Sequence, residues 1–362
     1  MLKNSIKYIY KQFIPISVIA ICLYALYLRI MVLYRHELWA DELFSLSQMG
    51  GSFLDLLKGL PKVEFCPYLS GDLYLIYPFF KIFSYNKWGL AIPHIIATII
   101  GFYILYLICR RYFKSILAYL ITFTLVCFNA TLINHATEIR SYAVLPTLAL
   151  ATLYLFLRIS DLNFGLNASR KIGSIAFFIL VIWFHVYGIL MFFSSLLFVL
   201  LTEHREKGYR VYFKNSILFA STILCLSMPL WLYSVFGPHF GYSKLNINTF
   251  EYFPNPLYNI TGFLKTLFCN LAGYKNIYFL LLGLIIPVIF RYKDRYRQLL
   301  FLSCSVIAPI CLILLFDLLG KYWFLQRQFI WIIPLFAFFL GWTWDSFFIL
   351  FGNSSKNRSM SK

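Results

Sequence analysis

Long apolar runs separated by short polar segments dominate the chain. The runs are long enough to cross a bilayer as helices, which takes about 20 residues, and they lack the alternating pattern of membrane strands. The pattern therefore predicts an all-α polytopic membrane protein with about ten transmembrane helices. The predicted spans lie at about 13–34, 88–108, 115–134, 141–158, 172–187, 188–202, 213–236, 276–290, 299–319 and 328–350.

Residues 35–87, between the first two spans, form a predicted outer loop that is not simply coil. Two stretches, 43–46 and 53–57, mix apolar and polar residues at helical spacing, and 73–83 is an apolar run. That run is short against the roughly 20 residues of a span. We therefore predict amphipathic juxtamembrane helices in this loop, lying along the outer membrane surface.

A second outer segment, 237–275, is rich in Asn, Tyr, Gly and Pro and becomes amphipathic near its end. Such a surface suits contact with a sugar or a lipid headgroup, although an ordinary connecting loop is an equal alternative. The sequence shows no repeat and no soluble domain. We predict a single transmembrane domain over 1–351, followed by a short polar cytoplasmic tail at 352–362.

Composition and charge agree with the membrane prediction. Hydrophobic residues make up 61% of the chain and charged residues 13%, and the mean hydropathy is +0.75. A soluble domain is about half apolar and a quarter charged. The net charge of +18 follows from the positive-inside rule, because most of the basic residues fall in the predicted cytoplasmic segments. The charge therefore does not indicate a nucleic-acid partner, and both termini are predicted to be cytoplasmic.

The acidic residues are bunched, since six of the 14 lie between Glu37 and Asp72. Carboxylates beside a membrane are costly to desolvate and are rarely concentrated without a use. The other acidic residues lie mostly on the predicted outer side. This distribution favours an enzyme over a channel or a scaffold, with its functional face outside the cytoplasm.

Asp41 and Glu42 are the first candidates for chemistry. A carboxylate just outside a span can act as a general base, or it can orient a substrate or bind a metal. Two adjacent carboxylates also disfavour double ionisation, which raises one pKa. The alternative is a helix N-terminus, where negative charge favours the helix dipole. The sequence assigns no metal ligand, because no further ligands stand beside the pair, but a divalent metal stays open.

Three further groups stand near predicted outer ends of spans. Glu138 and Arg140 cannot both point into lipid, so they pair or face a cavity, and an arginine fork suits a phosphate. His185 could donate a hydrogen bond to a substrate oxygen. Lys321 or Arg327 could be a second phosphate ligand. The alternative for all of these is an interfacial anchor, by snorkelling or in an aromatic belt.

At these residues the chain resembles the GT-C superfamily of membrane glycosyltransferases. The resemblance is to the branch with protein O-mannosyltransferases and the lipid A aminoarabinose transferase. The motif Trp-x-Asp-Glu of this branch matches Trp39–Glu42, and its Glu-x-Arg-x-Tyr matches Glu138–Tyr142. A His-Tyr motif matches at His185, and a late Arg-Tyr followed by a span with proline matches at Arg327 and Pro334.

The resemblance implies a GT-C-like fold and a polyprenyl-phosphate sugar as donor, used at the outer face without a nucleotide-binding domain. Asp41 would be the base or acceptor-orienting carboxylate, and Glu42 its support. Arg140, with Arg327 or Lys321, would stabilise the departing phosphate. An acceptor hydroxyl, on a cell-envelope glycan or lipid of a bacterial cytoplasmic membrane, would attack C1 with inversion. The candidates for other substrate contacts are Glu138, Tyr142, His185 and Asp72.

The chain departs from this family at several positions. Asp72 stands where Pro-Pro-Leu-Tyr is frequent, and it is either a replacement contact or a polar residue at a helix start. The Arg that commonly precedes Leu-Pro-Ser at the next span is missing, and Ala-Ile-Pro-His, ending at His94, stands there instead. Val186 follows His185 and Gln328 follows Arg327 where Tyr is usual at both positions. An envelope polysaccharide polymerase or ligase stays an alternative, as does a transporter or lipid flippase, which predicts an internal repeat.

Two of the eight cysteines lie in the predicted outer segments. The others lie mostly within apolar spans, where a thiol behaves as a small apolar group. Pairing of Cys66 with Cys269 stays open.

Overall fold

The computed structural model describes residues 2–59, 71–202, 209–236, 259–272, 295–320 and 326–359. Every regular element within these ranges is helical, which confirms the all-α prediction. The predicted span at 276–290, Cys66 and most of the segment 237–275 lie outside the described residues.

The first part of the chain contains one long helix, three short ones and a second long one. These are α1 (Leu2–Arg35), α2 (Ala40–Ser47), α3 (Phe53–Gly59), α4 (Gly71–Phe83) and α5 (Lys87–Tyr112). Helices α2, α3 and α4 form the segment between the first two spans, so the prediction that this segment contains helices is confirmed.

The second part continues with ten helices in the described residues. These are α6 (Ile116–Cys127), α7 (Ala130–Asn134), α8 (Leu145–Asp161), α9 (Ala168–Phe184), α10 (Tyr187–Thr202), α11 (Tyr209–Phe236), α12 (Ile260–Ala272), α13 (Arg295–Leu302), α14 (Ala308–Gly320) and α15 (Ile333–Ser359). Turns of 3₁₀ helix precede α8 at Ser141–Ala143 and α15 at Gln326–Ile332, and a π-helical turn at Ser303–Ile307 joins α13 to α14.

Five helical stretches of the described residues are long and apolar enough to cross a membrane. They are Pro15–Arg35, Lys87–Tyr112, Val211–Pro229, Arg295–Leu315 and Arg327–Leu350. Shorter apolar helices lie at Ile116–Cys127, Tyr187–Thr202 and Ile260–Leu271. The chain is therefore a polytopic membrane protein, in which several of the predicted spans form helices shorter than a full crossing.

The predicted span 115–134 forms two helices instead of one, because a helix-capping residue lies within it. Helix α6 ends at Cys127, and the Asn129 side chain then accepts a hydrogen bond of 3.1 Å from the Leu132 backbone N–H. An asparagine is favoured at a helix N-cap, because its side chain satisfies an amide that has no partner within the helix. A new short helix, α7, therefore starts here and leads directly into the segment with Glu138 and Arg140.

The centre of the bundle is the start of α15 with the 3₁₀ turn before it. Side chains from Phe329 to Trp342 are almost all buried, and the helix packs most extensively against α6. A helix that is apolar all round belongs in an interior. Helix α8 lies between α5 and α10. At Gly101 of α5 an added Cβ would collide with Thr147 Oγ1 of α8, so glycine permits this close crossing.

A second, smaller apolar core stabilises the helices of the first loop. Leu46 of α2, Leu73 and Ile76 of α4 and Leu90 of α5 are buried together. Ile139, from the distant segment between α7 and α8, is buried in the same core. This core fixes the first loop against the segment that carries Glu138 and Arg140.

Candidate functional site

Helix α2 presents Asp41 and Glu42 in its first turn, so the helix-start interpretation of these residues describes their position correctly. Trp39 is the N-cap, in an extended conformation. Its backbone N–H donates to Glu42 Oε2 at 3.1 Å. This is the reciprocal half of a capping box, which orients the Glu42 carboxylate back over the helix start.

Glu42 also binds the segment between α7 and α8. The Ile139 backbone N–H donates to Glu42 Oε1 at 2.7 Å, and the Glu42 side chain is 1% exposed. Burial raises the pKa of Glu42 above its ordinary value, although the hydrogen bonds from Ile139 and Trp39 oppose this shift. Both carboxylate oxygens are thus occupied by backbone amides. Glu42 therefore links the start of α2 to the segment between α7 and α8 and is not an accessible group. We call this link the clip.

Asp41 is the accessible carboxylate of the pair, with 45% of its side chain exposed. Its Oδ2 accepts a hydrogen bond from Nη1 of Arg140 and lies 3.9 Å from Nη2 of Arg327. Three segments far apart in the sequence therefore meet at this oxygen. We call the assembly the Asp41 cluster; its members are Asp41, Glu138, Arg140, Tyr142 and Arg327.

Arg327 lies at the back of the Asp41 cluster and is only 12% exposed. Its guanidinium carbon is 5.0 Å from the centre of the Tyr142 ring and 5.7 Å from that of Trp39. Aromatic faces attract a planar guanidinium and fix its orientation. Its Nη1 is 3.9 Å from Glu138 Oε1, and its Nε has no hydrogen-bond partner among the described residues. Arg327 is thus held by rings and by loose ion pairs, which leaves donor capacity for a further anion.

Glu138 is 5% exposed and is paired with a histidine. His135 Nδ1 lies 2.5 Å from Glu138 Oε2. Burial alone would raise the pKa of Glu138, but the hydrogen bond from His135 and the charges of His135, Arg327 and Arg140 outweigh it, and the pKa lies below its ordinary value. Glu138 therefore stays ionised and compensates the charge of Arg327.

His185 stands at the end of α9, beside the Asp41 cluster. Its ring is buried, with its centre 5.8 Å from that of Tyr142 and 4.7 Å from that of Tyr187. Its Nδ1 accepts a hydrogen bond of 3.2 Å from the Tyr187 backbone N–H. That bond assigns the proton to Nε2 in the neutral ring.

Asp72 forms a separate pair. Its Oδ1 lies 2.9 Å from His94 Nε2, and the two side chains are 1% and 0% exposed. Asp72 starts α4 and His94 lies within α5, so the pair fastens these two helices together. Asp72 and His94 each lie where the chain differs from the family pattern, and these two residues contact each other. Asp72 is thus both a helix-start residue and a local contact.

The structure brings together seven of the nine candidate residues of the sequence. Five are in the Asp41 cluster, and Glu42 and His185 contact its supporting segments. Asp72 is paired elsewhere, and Lys321 lies outside the described residues. The sequence did not single out His135, although its spacing of three from Glu138 is a signal for a pair. Among the described residues no group of three or more His, Cys, Asp or Glu side chains could hold a metal ion.

One comparison with known proteins bears on this site. A family model described as dolichyl-phosphate-mannose-protein mannosyltransferase matches residues 72–241, just under half of the chain. This match supports a membrane glycosyltransferase of the GT-C type. The matched segment contains Glu138, Arg140, Tyr142 and His185, whereas Asp41 lies before it. No curated protein and no solved structure gives a significant match.

Proposed function

We propose that this glycosyltransferase moves a sugar from a polyprenyl-phosphate carrier to a hydroxyl of a cell-envelope glycan or lipid, at the extracytoplasmic face. The observation that carries the proposal is the contact of an accessible carboxylate, Asp41, with Arg140 and Arg327. Transfer from a phosphate carrier needs a group to accept a proton and a group to take up negative charge. This contact supplies both within one cluster.

Asp41 is proposed as the base. The acceptor oxygen would attack C1 of the sugar and lose its proton to the Asp41 carboxylate, while the bond from C1 to the phosphate oxygen breaks. The new bond forms on the face opposite the phosphate, so the configuration at C1 inverts. A carboxylate that accepts the proton of an attacking hydroxyl typically contributes about 10²–10⁴-fold to the rate. Its 45% exposure leaves room for an acceptor to approach.

Arg140 and Arg327 are proposed to hold the carrier phosphate. As the bond to C1 breaks, a second negative charge develops on that phosphate, and fixed guanidinium groups stabilise it more in the transition state than in the ground state. Arg327 now faces two carboxylates at 3.9 Å, a distance longer than that of a hydrogen bond. A phosphate can therefore engage the donors of Arg327 without breaking a strong pair of that residue.

Glu42, Tyr142 and His185 have supporting roles in this proposal. Glu42 fixes the distance between Asp41 and Arg140 through its clip to Ile139. Tyr142 orients Arg327 and presents an aromatic face, and His185, whose ring lies beside that of Tyr142, is proposed to contact the sugar. The distribution of basic residues supports the orientation, because it leaves the Asp41 cluster on the side opposite the positively charged segments.

A glycan comparison tests the proposal. Cells that lack the gene would be complemented with wild type, with Asp41→Asn or with Asp161→Asn, at matched membrane levels. Asp161 is a suitable control, because it is an exposed aspartate that also pairs with an arginine, Arg111, at 2.7 Å. Mass spectrometry of envelope extracts should show one sugar unit restored by wild type and by Asp161→Asn but not by Asp41→Asn. Full restoration by Asp41→Asn would remove Asp41 from the mechanism.

A further inference from the structure

His135 contacts the Asp41 cluster but has no role in the proposed transfer. It is the C-cap residue of α7, and its backbone N–H donates to the Thr131 carbonyl at 3.1 Å. The start of α7 is fixed as well, because the Asn129 side chain donates to the backbone carbonyl of Asn270 on α12 at 2.9 Å. The backbone therefore places the His135 side chain at a defined point, three residues before Glu138.

The two oxygens of the Glu138 carboxylate have different surroundings. Oε2 lies 2.5 Å from Nδ1 of His135. Oε1 is buried, has no hydrogen-bond partner in the described part of the chain and lies 3.9 Å from Nη1 of Arg327. Because Glu138 is ionised, its oxygens can only accept hydrogen bonds, so Nδ1 of His135 carries a proton and donates. The short contact of this carboxylate is thus with the histidine and not with the arginine.

A buried carboxylate beside a guanidinium group is expected to form a short ion pair with it. Charged hydrogen bonds between such groups have lengths of about 2.8 Å and are often bidentate. Glu138 is 5% exposed and Arg327 is 12% exposed, so water competes little for either group. A movement of the carboxylate by about 1 Å would close the gap to Arg327. The hydrogen bond from His135 draws the carboxylate away from that position.

We propose that His135 is a positioning residue, which holds the Glu138 carboxylate back so that the donors of Arg327 remain available to the phosphate of the sugar carrier. This inference rests on the proposed function, in which Arg327 binds that phosphate. Without the hydrogen bond from His135, Glu138 would close a short ion pair with Arg327. The carboxylate and the phosphate would then compete for the same guanidinium group.

Binding of radiolabelled farnesyl phosphate, a short analogue of the carrier phosphate, to the purified chain in detergent tests this role. His135→Ala should weaken binding by about tenfold to a hundredfold, the range of one charged hydrogen bond. His135→Asn should recover most of the affinity, since its amide nitrogen is as many bonds from the backbone as Nδ1. His135→Phe keeps a ring but no donor and should bind as weakly as His135→Ala. The matched control is His36→Ala, because His36 faces Glu42 at 3.9 Å, is 44% exposed and should leave binding nearly unchanged.

The same substitutions in a Glu138→Gln background separate positioning from packing. A neutral amide does not form a strong ion pair with Arg327, so His135→Ala should have little further effect on binding in this background. Such non-additivity is expected of a residue that acts through another. An equal loss of affinity in both backgrounds, or no loss in either, would overturn the proposal. Full affinity of His135→Phe would also overturn it, because the ring and not the donor would then be what the site needs.

A structure of the His135→Phe variant covers the case in which farnesyl phosphate does not bind measurably or the alanine variant does not fold. The distance from Arg327 Nη1 to Glu138 Oε1 should shorten from 3.9 Å to about 2.8 Å. A distance that stays near 3.9 Å would refute the positioning role. The proposed function fails separately: full transfer by Asp41→Asn would refute the transfer mechanism, whereas the shortened distance would still support the positioning of Glu138 by His135.

Discussion

The clip formed by Glu42 gives the most specific prediction, for the substitution Glu42→Gln. The carboxylate accepts two backbone N–H groups, from Trp39 at 3.1 Å and from Ile139 at 2.7 Å. A glutamine side chain has one acceptor oxygen, so one amide loses its partner, at a cost of roughly 1.5–3 kcal/mol. The same substitution removes a buried charge, whose desolvation is the largest influence on the Glu42 pKa. These effects offset each other, so the melting temperature should change by only a few degrees.

Activity should respond much more than stability. Release of Ile139 from the clip lets Arg140 move relative to Asp41, and a displacement of about 1 Å near reacting groups can cost about 100-fold in rate. We expect Glu42→Gln to lower kcat for sugar transfer by about tenfold to a hundredfold. Transfer would be measured by mass spectrometry of the product at matched membrane levels. The control is Glu37→Gln, since the Glu37 side chain is 93% exposed in the same loop and, within the described part of the chain, forms an ion pair only with Lys87, at 3.6 Å.

The pH profile gives a second reading of the same residue. Because burial raises the pKa of Glu42, the carboxylate takes up a proton at a higher pH than an ordinary glutamate. A protonated Glu42 can no longer accept both amides, so wild-type transfer should fall as the pH drops through this raised pKa. The contribution of Glu42 to stability has the opposite sign: it is full below the unfolded pKa and is lost as the pH rises through the folded one. If the Glu42→Gln variant transferred sugar at the wild-type rate at any pH tested, the positioning role of Glu42 would be refuted.

The remaining predictions concern other pairs. Arg327→Lys keeps the charge but loses the planar stack on Tyr142, so the transfer rate should fall about tenfold or more at unchanged expression. An unchanged transfer rate would exclude a bidentate contact of Arg327 with the phosphate. Asp72→Ala leaves His94 buried without its partner and should destabilise the fold by roughly 3–5 kcal/mol. Thermal unfolding in detergent measures this loss. An unshifted melting temperature would show that the pair is not stabilising. Arg111→Gln breaks an exposed ion pair and should cost at most about 1 kcal/mol in the same assay.

The helical class and the main members of the site follow from the sequence for a physical reason. Spans must be apolar, so each charged residue left in or beside one is conspicuous. Asp41, Arg140 and Arg327 stand out on this basis and through the family motifs, and the structure places them at one oxygen. Their complementary charges were a further guide, since unrelated interfacial anchors need not combine a carboxylate with two guanidinium groups.

The contacts that support the site could not be predicted in the same way. Glu42 binds the backbone of Ile139, and a backbone amide leaves no trace in the identity of its residue. Asp72 and His94 were each visible as departures from the family, but their contact depends on how α4 packs against α5. Asn129 did carry a signal, a polar N-cap residue within an apolar run.

The release of free carrier phosphate tests the central claim most directly. Purified protein would be reconstituted with a membrane extract that contains the lipid-linked donor and the acceptor, and mass spectrometry would follow polyprenyl phosphate and product together. Wild type and Asp161→Asn should form both in equal amounts, and Asp41→Asn should reduce both by about a hundredfold or more. Equal release by Asp41→Asn and wild type would contradict the account, since the carboxylate next to Arg140 and Arg327 would then take no part in the transfer.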